Sequence, residues 1–418
     1  MNNSIYFVDS IYKPQDSNLY QVNLLGIDSP SMPTPLTFKD IPEEMIRRFG
    51  KYENELMKEC WYVTVHQKDN MVLFEKANKL GPARKNYSDY KEIVNHLLEN
   101  STTDRDINLD DYQNLKSVCS FHVNVGHGNC SIIVILRDEQ LPELWMIDCS
   151  ILERSSNTWI NHTKELEACL DEIALTSRWK RSELRINRFF LTHTHFDHYN
   201  GLLYLINEKL IDKSTLVYLN LYYHCASPTM ITILHELQDI GVKIVEPVSN
   251  NSNGIIKILH PEKRTHRSTG TIRNHDKPCI VEPKVNDSST VITMRLGNRT
   301  MIFPGDLEQK GFARMTKDYS CSTFLYDAEY YVVSHHGSEN GHPKMLCSMR
   351  NTPILDCVKN RLKASILMGR NNAYKGIYSS VVQRAFGAKL FYTESFKNNI
   401  ANVRFLKLEW TSGMVTPY

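Results

Sequence analysis

The segment Leu191-Thr-His-Thr-His-Phe-Asp-His-Tyr-Asn-Gly201 constrains this chain more than any other. It sets His193, His195, Asp197 and His198 within six residues, in the order His-x-His-x-Asp-His. Imidazole nitrogen and carboxylate oxygen are preferred ligands for zinc and, less tightly, for manganese or iron. The run Ile186-Asn-Arg-Phe-Phe-Leu191 before it reads as a buried strand, and Leu202, Leu203, Leu205 and Ile206 after it read as a helix. The four side chains therefore fall on a strand-to-helix turn, where alternate positions point into one cavity. Ligands this close together cannot all wrap one ion. The pattern implies two divalent metal ions, zinc or manganese, with His193 and His195 facing one and Asp197 and His198 the other.

Further segments follow a consistent order around this turn. Phe121-His-Val-Asn-Val-Gly-His-Gly-Asn-Cys-Ser-Ile-Ile133 reads as a strand, a glycine turn and a second strand. Trp145-Met-Ile-Asp148 is a strand ending in an aspartate, and Met301-Ile-Phe-Pro-Gly-Asp306-Leu-Glu308 repeats that form. Tyr331-Val-Val-Ser-His335-His336-Gly-Ser338 and the turn from Gly369 to Tyr374 complete the set. Together, over about residues 118 to 410, these segments resemble the hydrolase domain of the DNA-uptake protein ComEC and its stand-alone relatives. Those are metallo-β-lactamase-fold enzymes.

The resemblance implies an α/β (α+β) chain built as an αββα sandwich, with the metals at one edge. It implies that Asp148 braces the metal loop and that Asp306 bridges the two ions. The sequence leaves open which of the adjacent histidines is the ligand, and His335 is the favoured one. His336 is left for a role beside the substrate, with Ser338 as a further substrate contact and Asp197 as a group that also orients the attacking water. Two departures stand out. Where most of the wider superfamily has another histidine, this chain has Asn286-Asp-Ser-Ser289, so Asn286 or Asp287 would hold the first metal weakly. The family's late His-Pro pair is replaced by Gly376-Ile377.

Residues 1–117 have no counterpart in that pattern and read as a small N-terminal accessory α/β module, with the hydrolase domain over 118–418. Asp40-Ile-Pro-Glu-Glu reads as a helix start, with the helix running to about Glu59. Strands are expected at Cys60–His66 and Met71–Phe74, and a helix from Ser88. Such a module either docks on the hydrolase or recruits a protein partner. Within the hydrolase, helices are expected at His162–Thr176, Met230–Ile240 and Ser380–Ala385.

A formal net charge of +2 removes any global electrostatic case for nucleic acid, so basic attraction must be local. The segment His260–Asn286 supplies it. Lys263, Arg264, Arg267, Arg273, Lys277 and Lys284 face only Glu262, Asp276 and Glu282 there. Arg264, Arg267 and Arg273 are the expected contacts for an anionic substrate; a solvated loop with incidental charge is the alternative of equal weight. The ten cysteines form no Cys-x-x-Cys pair, which suits a reducing compartment. With neither a signal-like start nor an apolar run near ~20 residues, a cytoplasmic protein with no membrane span is expected.

The function these readings favour is metal-dependent hydrolysis by a metal-activated hydroxide, as a phosphodiesterase or nuclease acting on nucleic acid or a nucleotide. Hydrolysis of another ester, such as a phosphorylcholine ester, is the first alternative. A non-catalytic metal-binding interaction module is the second, and the number of intact ligands weighs against it.

Overall fold

The structure is a computed structural model. It describes residues 4–47, 62–76, 92–104, 112–220, 227–247, 254–261, 285–315, 327–342, 361–369, 380–394 and 403–418, less 13–17, 30, 69–70, 98, 103, 113–114, 139, 156, 309–310, 313–314 and 339–340.

The N-terminal residues form β1 (Ser4–Tyr12), β2 (Leu19–Gly26), β3 (Pro35–Pro42), β4 (Tyr62–Lys68) and β5 (Met71–Lys76), with one short helix α1 (Glu43–Arg47). They make one five-stranded sheet in the order β3-β2-β1-β4-β5. The helix expected from Asp40 starts later, because the β2–β3 ladder runs on through Ile41 and Pro42. A paired ladder satisfies those backbone groups, and the acidic pair Glu43 and Glu44 then opens the helix at its first turn. Residues 48–61 lie outside the described set, and with them the rest of that expected helix. The α2 turn spans 92–97.

Two larger sheets follow. The first takes β6 (Ser117–Val123), β7 (Cys130–Leu136) and β8 (Glu143–Cys149), and beyond the hairpin β9 (Leu152–Ser155) and β10 (Thr158–Asn161) it takes β11 (Ile186–Leu191), β12 (Leu216–Leu219) and β13 (Lys243–Val245). The second holds β14 (Ile256–His260), β15 (Val291–Leu296), β16 (Arg299–Phe303), β17 (Tyr330–Val332), β18 (Ala364–Leu367) and β19 (Leu390–Tyr392) in chain order. The chain then returns to the first sheet as β20 (Phe405–Glu409) and β21 (Val415–Pro417), giving the order β13-β12-β11-β8-β7-β6-β20-β21. In each sheet one half is parallel, β8-β11-β12-β13 and β16-β17-β18-β19.

Successive side chains on a strand face opposite ways, and these strands are apolar on both faces. Trp145, Phe190, Met301, Phe303 and Tyr330 pack between the sheets. Their neighbours Met146 and Phe189 face outward under α3 (Thr163–Ser177), α5 (Leu202–Asn207) and α6 (Pro228–Ile240). Ile302 and Tyr331 face out from the second sheet towards α7 (Ser380–Phe386). The result is the αββα sandwich of metallo-β-lactamase type that the motifs imply. The three expected hydrolase helices are present, each within about two residues of its expected bounds.

The N-terminal sheet docks on this sandwich, since Phe7 and Leu25 join the same core as Leu166, Phe196 and Tyr199. Ile93, Val94 and Leu97 of α2 enter that core too. Asp104 accepts Arg188 Nε at 2.9 Å and Nη2 at 3.2 Å, and it also pairs with the Tyr218 hydroxyl. Among the described residues no helix is long and apolar enough to cross a membrane.

Candidate metal centre

The His-rich turn leaves β11 at Leu191, in the parallel half of the first sheet, and enters the one-turn helix α4 (Phe196–Tyr199) with His195 just before it. Ligands commonly gather outside the carboxyl ends of parallel strands, where loops must diverge. Alongside, the last but one residue of β8 is Asp148, which takes a left-handed φ of 54°. Its Oδ1 accepts the Thr192 N–H at 2.7 Å, and its Oδ2 accepts both the Thr192 hydroxyl and His198 Nδ1 at 2.7 Å. That bond commits the other nitrogen of His198, Nε2, to the cavity. It is the usual way a protein orients a metal-binding imidazole.

Asp306 arrives from the other sheet, on the turn after β16. Gly305 before it has φ +57°, and a Cβ there would stand 2.8 Å from Thr192 Cβ, so only glycine lets the two turns approach. Asp306 Oδ2 lies 3.4 Å from His198 Nε2 and 3.3 Å from His336 Nε2, so one oxygen faces both. His336 donates from Nδ1 to the Met368 carbonyl at 3.0 Å, which aims its Nε2 at Asp306 and, 3.6 Å away, at Asp197.

Among the described residues two groups of candidate ligands result, each with its donor atoms mutually within 4.8 Å: His193, His198 and Asp306, then His127, Asp197 and His336. The grouping differs from the expectation that chain neighbours would share an ion. Asp197 and His198 are successive residues of a helix, so their side chains diverge by roughly 100° and serve different groups. His195 stays beside the first group, its Nδ1 3.2 Å from His193 Nε2.

It is His336, not the expected His335, that the structure turns towards the carboxylates. Both have left-handed backbone, with φ of 46° and 50°, so the pair fans out in opposite directions. His335 instead lies 3.3 Å from Glu308 Oε1 through Nδ1 and 3.3 Å from the Asn286 amide through Nε2. Asn286 also donates to Glu308 at 3.1 Å, and Asp287 accepts the Gly311 N–H at 2.8 Å. Ser338 Oγ accepts the Gly341 N–H at 3.3 Å and so helps close the loop behind the histidines. Arg264, Arg267 and Arg273 lie outside the described residues, as does most of the turn from Gly369 to Tyr374.

His127 is the member of the site that sequence reasoning missed. It stands between Gly126 and Gly128 in the first turn of the hydrolase motif. Its Nε2 is 3.7 Å from Asp197 Oδ2, and its ring centroid is 4.2 Å from that of His336. Gly128 has φ +147°, and a Cβ there would meet Ser150 Oγ at 2.6 Å and the Asp197 carbonyl at 2.8 Å. The signal available in the sequence was the variable position of the Gly-x-Gly turn, occupied here by a ligand-type residue.

The donor set fits divalent metal. Bonds of about 2.0–2.1 Å in a tetrahedral site place neighbouring ligand atoms about 3.4 Å apart. The four carboxylate–imidazole separations of 3.3–3.7 Å lie near that value, and every donor pair within a group is inside 4.8 Å. Asp306 Oδ1, His198 Nε2 and His336 Nε2 are buried without a well-formed hydrogen bond, although buried polar atoms are nearly always satisfied.

Electrostatics point the same way. Burial opposes ionisation of Asp306 and Asp197, yet the surrounding imidazoles, led by His336 and His198 respectively, hold both carboxyls well below the usual range. Burial also opposes charging of His336, but Asp306 and Asp197 push it up to about 10. His193 and His127 are held down, by burial first and by neighbouring imidazoles second. The carboxylates favour positive charge between them, and a cation held there would take the place of the protons on His198 and His336.

No family model and no curated protein matches the chain. Solved structures similar to it include three at 11–12% identity. The metallo-β-lactamase fold protein YhfI from Bacillus subtilis has a TM-score of 0.35 at 11% identity, over 72% of this chain and all of that one. A long form RNase Z from yeast has a TM-score of 0.33 at 12% identity, over 74% of this chain but 46% of its own. A diphosphatase from the PhnP family has a TM-score of 0.31 at 11% identity, over 66% and 94%. Overlaps this slight assign the chain to none of them.

Proposed function

We propose that this chain is a metal-dependent phosphodiesterase, most simply a nuclease. The observation that carries the reading is the pair of facing ligand groups, His193/His198/Asp306 and His127/Asp197/His336, on either side of one carboxylate oxygen. When bound there, divalent ions supply a hydroxide at neutral pH and neutralise charge on a phosphoryl oxygen. Asp306 fixes the spacing between the two groups. Asp197, the most exposed of the carboxylates at 27%, faces the opening and accepts a hydrogen bond from an incoming water. His335, with its ring nitrogens beside Glu308 and Asn286, donates to a substrate or leaving oxygen by exchanging one of those contacts.

The choice of a phosphodiester rests on the basic segment between His260 and Asn286. Its described ends connect to the centre through neighbours: His260 Nδ1 pairs with the carbonyl of Ser289, whose Oγ accepts the Asp306 N–H at 3.2 Å, and Asn286 adjoins His335. Six cationic side chains strung between those ends favour an anionic substrate. The motif likeness to the ComEC type supports the same choice, and a cytoplasmic location is part of the reading.

A panel of single- and double-stranded DNA, RNA and bis-p-nitrophenyl phosphate, each with added manganese or zinc, tests it. Turnover of at least one phosphodiester, abolished by chelation, is expected. Inactivity on all of them alongside cleavage of a carboxylic ester or a phosphorylcholine ester would move the assignment to that class.

A further inference from the structure

β1 carries a bulge at Asp9. Its ladder with β2 runs Val8 to Leu24 and then Ser10 to Asn23, so Asp9 has no opposite residue. The bulge resets the alternation of faces. Val8 and Ile11, three apart, both pack on the core of the N-terminal sheet, and Phe7 points the other way into the core around Phe196. Bulges re-aim side chains and are over-represented beside active sites. This one aims a carboxylate. Asp9 is 9% exposed, and its Oδ1 accepts the backbone N–H of Phe196 at 3.3 Å.

Phe196 is the residue between His195 and Asp197, and it is held from its other end as well. Its ring stacks on Trp159 with centroids 4.9 Å apart, and Trp159 Nε1 donates to the Pro33 carbonyl at 2.8 Å. Arg154 closes the clamp. Its Nη1 donates to the Leu24 carbonyl at 2.9 Å and the Leu36 carbonyl at 3.2 Å, and its Nη2 lies 3.6 Å from Asp9 Oδ2. The clamp thus joins β2, β3, the β9–β10 hairpin and the metal loop.

We propose that Asp9 is a positioning residue of the metal loop. By accepting the Phe196 N–H it fixes the turn that presents His195 and Asp197, and the N-terminal sheet is thereby a working part of the centre. The proposal rests on the reading of this centre as metal-binding. Asp9 touches neither substrate nor metal; it acts through the backbone, so its loss changes ligand geometry before it changes anything else.

The experiment titrates full-length apoprotein with cobalt(II). It follows the visible absorption, which reports coordination geometry, and obtains affinity by competition with a chelator. Asp9→Ala is expected to weaken cobalt binding by about 10–100-fold, the usual cost of removing a group that orients a metal ligand, with an altered spectrum. Asp9→Asn, which keeps an acceptor oxygen, is expected to stay near wild type. Asn157→Ala removes the Thr37 N–H partner at the same docking face, 3.0 Å away, without reaching Phe196, and should leave the metal signal unchanged.

If Asp9→Ala strands Arg154 and fails to fold, the double variant Asp9→Ala/Arg154→Leu removes both charges and is expected to show the same loss. Either folded variant binding cobalt like wild type overturns the proposal. So does an equal loss in Asn157→Ala, which would make the effect one of docking strength alone. A wild-type chain that takes up no cobalt overturns the metal reading together with this one.

Discussion

At the scale of single residues, the two adjacent histidines are the sharpest case. His335 and His336 are chemically identical and one position apart, so sequence offers no means to tell them apart. The difference is made by left-handed backbone and by the Met368 carbonyl that takes the Nδ1 proton of His336. The expected outcome is that His336→Ala loses metal from the second group. Its activity should fall by more than the roughly 10–100-fold typical of residues one layer away from a metal. His335→Ala should keep its metal and change KM or leaving-group dependence instead. Metal analysis of both purified variants checks this, and equal metal loss in the two would refute the geometry. His127 was hidden for a related reason. Its closeness to Asp197 exists only once the β6–β7 turn is pressed against α4, and no local periodicity encodes that meeting.

At the scale of elements, strands buried on both faces were the most legible. Ile186–Leu191 was expected and found with the same bounds, because an apolar run before a ligand-bearing turn leaves few alternatives. The N-terminal sheet was less legible, since its order places β1 between β2 and β4 and its faces depend on a bulge. β6 carries a testable feature of its own. His122 is fully buried in the sandwich, between Ser120 Oγ at 3.0 Å and Ser131 Oγ at 2.9 Å, and burial pushes its imidazole down to about 3. In the unfolded chain the same group titrates near 6.5. Between those values the unfolded state binds the extra proton, so stability must fall as pH drops from about 6.5 towards 3. The contribution is up to about 1.4 kcal/mol per pH unit. Thermal melts across that range should show a shallower slope for His122→Gln than for wild type. An unchanged slope would mean that His122 is already neutral, or already charged, in both states.

At the scale of the whole molecule, a net charge of +2 hides an uneven distribution. The segment after His260 gathers six cations against three acids in the sequence, and the proposed function gives it the polyanion. Replacing Arg264, Arg267 and Arg273 together with alanine should raise KM for a polynucleotide far more than for bis-p-nitrophenyl phosphate, because only a long polyanion reaches beyond the metals. Counterion release makes the polynucleotide effect shrink as salt rises. Equal losses on both substrates would assign the segment a structural role. The sandwich itself was legible from ordered motifs; how its two leaves share the site was not.

That sharing has a mechanical consequence. His193 and His198 hang from one leaf and Asp306 from the other; His127 and Asp197 likewise face His336 across the seam. Each ion would act as a further rivet between leaves joined by their apolar interior and, at this edge, by the Thr290 N–H to the Thr192 carbonyl at 2.7 Å and the Asn220 amide to the Ser288 carbonyl at 2.8 Å. Mass action then makes the melting temperature climb with free metal, by the equivalent of about 2.7 kcal/mol at a hundred times Kd. Stripping the metal should loosen the seam from its rim inward. Amide exchange would quicken at Thr192–Tyr199 and Gly305–Leu307 together, while the strands around Trp145 and Phe190 keep their protection.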